Sequence, residues 1–533
     1  MNYKTFFLYL KFLTMVVICQ GQINQPDAKK NELYNILFIS IDDLRTELNC
    51  YGASHIKSPN IDRLAAQGVR FENAHVQQAI CMASRASIMT GIRPEKHGIY
   101  TGLAVDDVLP ETLTINKYFE QNGYNIASCG KIYHHKIDTK KQFGENEIKS
   151  KGTWTGRGYV TPEAIEKITL NTKYNRGPAY EFAPVNDTIY KDGLNTQNAL
   201  KKMEELSKDN VPFFLSVGLS KPHLPFVAPK KYWDMYPSST IKITDIKKRP
   251  KNGYNKAIRT GGELKNYYGM PEMFNEIDDN LALTLRRAYY ACISYADAQV
   301  GKLLDKLEAL GIRDKTIVIL WSDHGYKLGD YNSWCKWTNM HLDTNIPLIF
   351  SVPEGKRNSV SKTPVAALDI YPTLVELNGL QKPNHLDGKS IVTLLKNPEI
   401  QRERVVFSIW PINRNVYKKT IIGYAAKTAR FNYVEWIKIG SGEMVGRELF
   451  DHHKDPNETQ NLIDNVEYAE TINFLAKKVS ERIQNTHHDH KFKKISSLRY
   501  VIPKQRGIHH LLSNSTLNVS TWAYIGNQDV TSQ

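Results

Sequence analysis

The stretch YNILFISIDD, Tyr34 to Asp43, decides the fold class. From Tyr34 to Ile41 it is an almost continuous apolar run, without the alternation of a strand that has one face in water, and two carboxylates end it. Such a run is buried on both faces, as parallel strands are between helical layers. Outward from it, strand and helix patterns alternate in the manner of a layered α/β domain. SPNIDRLAAQG (Ser58–Gly68) has helical periodicity and a glycine stop, and LTINKYFEQNG (Leu113–Gly123) is a second amphipathic helix. VPFFLSVGL (Val211–Leu219) is a strand, and the stretch Arg286–Gly311 reads as a long helix. TIVILWSD (Thr316–Asp323) and IPLIFSV (Ile346–Val352) are further strands.

The two strands that end in acids matter most. Ligands in open α/β sheets gather at the carboxyl ends of strands, where loops carry polar groups that the buried strand cannot. Asp42, Asp43, Asp323 and His324 sit at two such ends. Carboxylates brought together repel unless a cation lies among them, and hard oxygen donors favour calcium or magnesium over zinc.

Composition sets the frame. The 533 residues, 41% hydrophobic and 23% charged, describe an ordinary globular protein and exclude disordered and collagen-like classes. The net charge of +15 attracts polyanions, but Lys and Arg are dispersed along the chain rather than gathered in a nucleic-acid-type block, which fits a sulfated or carboxylated substrate. The N-terminus MNYKTFFLYLKFLTMVVICQGQ has the layout of a secretory signal, too short and too charged to span a membrane. Ile18 is bulky where a lipoprotein site carries a small residue, so cleavage near Gly21 is favoured over acylation of Cys19, and the product is secreted or periplasmic. The mature chain keeps Cys50, Cys81, Cys129, Cys292 and Cys335, an odd set without a Cys-x-x-Cys pair, which argues against a disulfide framework and a zinc site.

Cys81 opens the helical stretch CMASRASIMTG. Cys81-x-Ala83-Ser84-Arg85, followed by Thr90-Gly91 and Arg93, resembles the signature of the type I sulfatases, in which the cysteine is oxidised to formylglycine. ISIDDLR, SPNIDRLAAQGVRFENAH, GKIYHH, SKPHLPF, WSDHGYKLGD and CKWTN follow in the order of that family, most closely of its iduronate-2-sulfatase branch. The likeness runs from about Asn35 to Leu462. It implies an alkaline-phosphatase-like α/β/α sandwich with a large mixed, mostly parallel sheet, and a smaller C-terminal domain with an antiparallel sheet beginning at RERVVFSIW (Arg402 onward). The implied division is a signal peptide at 1–21, a catalytic domain at 22–400, a subdomain at 401–490 and a basic extension at 491–533.

The resemblance also implies roles. Asp42, Asp43, Asp323, His324 and the modified Cys81 would form a calcium site. Arg85 would hold the formylglycine diol, Lys131 and His134 would lie beside it, and His223 and Lys336 would reach the sulfate and the leaving oxygen. A sulfate monoester is an anion whose cleavage builds charge on the bridging oxygen, so fixed positive charge and an acid for the leaving alcohol are the physical requirements. A helix opening at Cys81 adds its N–H groups and the positive end of its dipole. Position 83 is Ala where many members have Pro, a form that resembles the one accepted by anaerobic-type maturation enzymes as well as some formylglycine-generating ones. The implied partners are a sulfated oligo- or polysaccharide, such as ulvan or a glycosaminoglycan carrying 2-O-sulfated uronic acid, and one maturation enzyme, with no nucleic acid and no membrane span. A phosphodiesterase or phosphonate hydrolase of the same superfamily and an inactive carbohydrate-binding relative are the alternative readings.

Overall fold

The computed structural model describes residues 33–259, 262–412, 420–439 and 441–489. The expected signal sequence with Cys19 and Gly21, and the expected extension at 491–533, lie outside the described residues. The large sheet holds β1 (Asn35–Ile41), β2 (Val69–Phe71), β3 (Asn125–Gly130), β4 (Glu147–Ile148), β5 (Phe213–Leu219), β6 (Thr316–Ser322), β7 (Leu348–Ser351) and β8 (Ser359–Ser361). Its order is β8-β2-β7-β6-β1-β5-β3-β4. β1 lies parallel between β5 and β6, with Ile39 opposite Val217 on one side and Leu320 on the other. Only β7, in the stretch Ile346–Val352, runs against its neighbours, so the sheet is mixed and mostly parallel.

Both faces of β1 are covered, which explains its unbroken apolar sequence. Leu37, Ile39 and Ile41 face a core formed with α1 (Pro59–Ala66), α4 (Lys191–Leu206) and α5 (Asp279–Ala309). The other face carries an aromatic seam, Phe38 with Phe214 and Trp321 at 5.4 and 5.3 Å, which continues to Phe119 of α3 (Ile115–Gln121). That same face carries α2 (Cys81–Thr90), whose side chains are nearly all buried and which ends on Gly91 in the left-handed region, φ 70°. α5 begins seven residues before the stretch read as helical from the sequence, where Asp278 caps it by accepting from the Leu281 N–H at 2.7 Å.

A second sheet, β9 (Val406–Pro411), β10 (Ile421–Lys427), β11 (Phe431–Lys438) and β12 (Met444–Asp451), is antiparallel throughout. One face is covered by Ile472, Leu475 and Val479 of the last helix, Ala469–Asp489. The other packs Trp410, Val434 and Trp436 against Ile80 and Ala83, so this sheet braces the start of α2.

The sheet closes tightly behind the strand ends. Gly218 of β5 pairs with Ser40 of β1 and Gly130 of β3. A Cβ at Gly218 would stand 2.1 Å from the Lys131 carbonyl oxygen, which also accepts from Ser40 Oγ and Arg85. Gly218→Ala is therefore expected to cost about 1–3 kcal/mol by overpacking and to displace Lys131. Urea denaturation checks the first effect and turnover the second.

Candidate functional site

The chain reverses direction just past β1, where Asp43 takes φ 60°, a left-handed conformation that an Asp tolerates better than most residues. The turn is held from several sides. Asp42 N–H donates to the Leu219 carbonyl at 3.0 Å, Asp43 N–H to Asp323 Oδ1 at 3.1 Å, and Tyr289 hydroxyl to the Asp43 carbonyl at 2.6 Å. Strand pairing of β1 with β6 thus brings Asp42 and Asp43 beside Asp323 and His324, and all four side chains are buried.

α2 enters this cluster at its first residue. Cys81 Sγ lies 3.2 Å from His324 Nε2 and 3.8 Å from Asp43 Oδ1. Ligand atoms of Asp42, Asp43, Cys81 and His223 lie within 4.8 Å of one another, as do those of Cys81, Asp323 and His324. His324 Nδ1 is 2.8 Å from the Gly325 carbonyl, which leaves Nε2 for the cluster. Burial disfavours a charge on this ring, but Asp323, Cys81 and Asp43 outweigh it and push its pKa up to about 10.

Three cationic side chains balance the three acids. Arg85, one turn along α2, is 1% exposed and binds Asp323 Oδ2 at 2.9 Å, Asp42 Oδ1 at 3.1 Å and the carbonyls of Lys131 and Ile132 at 2.8 Å each. Its donors are directed to the acids and the β3 loop. Lys131 caps the outer oxygen of Asp42. Lys336 forks onto Asp43 at 2.8 and 2.9 Å. Burial raises Asp42, and Lys131, His223 and Arg85 overcome it, holding that carboxyl well below the usual carboxylate range. Burial likewise opposes charge on Lys336, and Asp43, Cys81 and Glu263 keep its pKa well above that of a free lysine.

The other two expected histidines, His223 and His134, stand differently. His223 directs Nδ1 at its neighbour's carbonyl, Leu224 O at 2.6 Å, so Nε2 faces Asp43 at 3.9 Å and Glu263 at 3.6 Å. His134 is at the exposed rim, its ring against His135 at 5.1 Å and within electrostatic reach of Lys131 and Asp42. It is the one expected residue placed at the mouth rather than in the cluster.

Glu263 was not among the residues singled out from the sequence. It reaches Lys336 at 3.3 Å and is flanked by Arg176 and Arg157 at 3.3 and 3.5 Å. Burial raises its pKa, and His223, Lys336 and the two arginines more than reverse this. No motif surrounds it, and its partners lie 40 to 106 residues away in the chain, so only the fold reveals it.

Three buried carboxylates from rigid strand ends suit a hard divalent cation, and the soft Cys81 sulfur beside them would suit it only once replaced by an oxygen donor. With Asp42, Asp43 and Asp323 already matched by Arg85, Lys131 and Lys336, a divalent cation would leave the cluster positive, as a site for an anionic ester must be.

Comparison with known proteins gives the arrangement a context. A family model described as "Sulfatase" matches residues 34–380, and one described as "N-sulphoglucosamine sulphohydrolase, C-terminal" matches residues 329–485. The chain is 28% identical to human iduronate 2-sulfatase over 87% of its own length and 97% of that protein. It is 27% identical to an ulvan-active sulfatase of Formosa agariphila over 84% of its length and 81% of that protein. Among solved structures, the phosphonate monoester hydrolase of Silicibacter pomeroyi shares the fold with a TM-score of 0.67 at 22% identity, covering 85% of this chain and 96% of that one.

Proposed function

Because the chain belongs to the sulfatase family and is a sulfuric ester hydrolase, we propose that it removes sulfate from a sulfated carbohydrate, in the first place a 2-O-sulfated uronic acid of a glycosaminoglycan or of an algal polysaccharide such as ulvan. The observation that carries the reading is Cys81 at the first turn of α2, its sulfur between Asp43 and His324 in a cluster of three acids and three cationic side chains. The similarity to iduronate 2-sulfatase and to an ulvan-active sulfatase supports the choice of substrate. A maturation enzyme acting on Cys81 before the chain closes, and export by the N-terminal signal, belong to the same proposal.

Asp42, Asp43, Asp323, His324 and Cys81 would hold calcium, which supplies positive charge to the sulfate oxygens and lowers the pKa of a bound hydroxyl. Formylglycine at Cys81 would, as its hydrate, supply one hydroxyl that bonds to sulfur as the bond to the sugar oxygen breaks, and a second whose deprotonation would expel sulfate and restore the aldehyde. Arg85 fixes Asp42 and Asp323 relative to α2, and through the Lys131 carbonyl it sets where the Lys131 ammonium stands. Lys131 and Lys336 bring charge to the sulfate oxygens. His223 Nε2 and the Lys336 ammonium both face the side of Asp43 that looks toward Glu263, where the leaving alcohol needs a proton. His134 at the rim accepts the proton given up when sulfate departs.

The roles of His223 and Lys336 separate by leaving group. His223→Ala is expected to slow a sugar sulfate, whose alkoxide needs protonation, by about 10²–10⁴-fold, and an activated aryl sulfate much less. Steady-state rates on the two esters decide it. Equal losses on both would make His223 a sulfate-binding residue and pass the proton to Lys336.

A further inference from the structure

Among the described residues, the even spread of Lys and Arg read from the sequence fails in one stretch. Between positions 242 and 259, seven of eighteen residues are basic against one acid, Asp245, and all seven basic side chains are exposed. Lys247, Lys248, Arg249 and Lys251 line an open groove of about 490 Å³. Lys247 also pairs with Asp279 at 2.9 Å, an exposed contact that solvent screens.

The basic loop is held firmly. Tyr331 N–H donates to the Ile246 carbonyl at 2.6 Å, Thr244 hydroxyl to Asp330 at 2.7 Å, Lys251 N–H to the Thr459 carbonyl at 2.8 Å and Tyr254 N–H to Glu448 at 2.9 Å. Its far end runs into the site described above. Ala257 and Ile258 are buried against Ile80 and Ala83, on either side of Cys81, and the Arg259 guanidinium lies over the Trp337 ring at 5.3 Å, next to Lys336. Four residues further, Glu263 touches Lys336. The loop therefore forms a fixed basic track that leads to the catalytic cluster.

We propose that this track is an exosite for the sulfated polysaccharide chain beyond the residue being cleaved, an inference that rests on the sulfated-carbohydrate reading. Regularly spaced sulfates on a sugar chain give the counterion release that a row of fixed cations exploits. Nucleic acid fits less well, because single-strand binding needs aromatic platforms and the one aromatic in the loop, Tyr254, is committed to a stack on Trp436 at 5.1 Å.

The test is binding of heparin oligosaccharides of graded length, disaccharide to dodecasaccharide, to the full chain at several salt concentrations. Affinity should rise with length in the native protein, and Lys247→Ala/Lys248→Ala/Arg249→Ala should abolish the rise and lower the slope of log affinity against log salt by about 2, at roughly 0.7–0.9 per contact. A control with the same charge loss elsewhere on the surface, Lys151→Ala/Lys201→Ala/Lys208→Ala, should behave as the native protein. An unchanged length dependence in the first variant, an equal loss in the control, or tighter binding of DNA than of heparin per charge would each overturn the proposal. Length-dependent binding without any sulfate release would condemn the proposed function and leave the exosite standing, and sulfate release with length-independent binding would do the reverse.

Discussion

Cys81→Ala is expected to lower sulfate release on the order of 10⁶-fold, the scale of losing a covalent nucleophile, while leaving the fold intact. The substitution removes one buried sulfur at the first turn of a helix whose neighbours Ile80 and Ala83 are braced by Trp410 and Trp436, so the melting temperature should move little. Active protein should also carry a peptide spanning Cys81 that is lighter than its unmodified form by exchange of CH₂SH for CHO. Cys81→Ser should be inactive in a host whose maturation enzyme accepts only cysteine. Full activity with an unmodified thiol at position 81 would exclude the formylglycine route.

Arg85→Ala should be the most destabilising single change at the site. It leaves Asp42 and Asp323, both almost fully buried, without a shared partner, and removes the clamp on the carbonyls of Lys131 and Ile132. Deleting one partner of a buried ion pair costs about 3–5 kcal/mol, so urea denaturation should show a midpoint far below that of the native protein. Arg85→Lys restores one charge but not the planar fork that serves two carboxylates and two carbonyls at once, and should recover less than half of the loss. A midpoint within error of the native one for Arg85→Ala would mean that Lys131 and Lys336 suffice to hold the acids.

Much of this was legible in the chain because the physics is local. β1 is buried on both faces, so its sequence is a continuous apolar run, and the acids that end it and β6 mark the edge where polar groups become tolerable. The reversed direction of β7 was not legible, since a buried strand carries the same residues whichever way it runs. The start of α5 was read seven residues late, although Leu281, Ala282 and Leu283 pack partly against the core, Leu285 is buried and Asp278 caps the first turn. At the site, Asp42, Asp43, Asp323, His324, Cys81 and Lys336 come together as the motifs imply, and Glu263 joins them through tertiary contacts that no spacing encodes. The Arg85 hydrogen bonds to two acids and two carbonyls are likewise a property of the packed state, invisible in an arginine on a helix.

The proposed function assigns cleavage of carbohydrate sulfate esters to this cluster, in a fold that a phosphonate monoester hydrolase shares. The most direct test measures kcat/KM of one matured preparation on a panel of sulfated oligosaccharides, 2-O-sulfated uronic acids included, alongside a phosphonate monoester. Inorganic sulfate should be released from at least one uronate-containing oligosaccharide with a kcat/KM above that for the phosphonate. Faster turnover of the phosphonate than of every sulfated saccharide in the panel would contradict it.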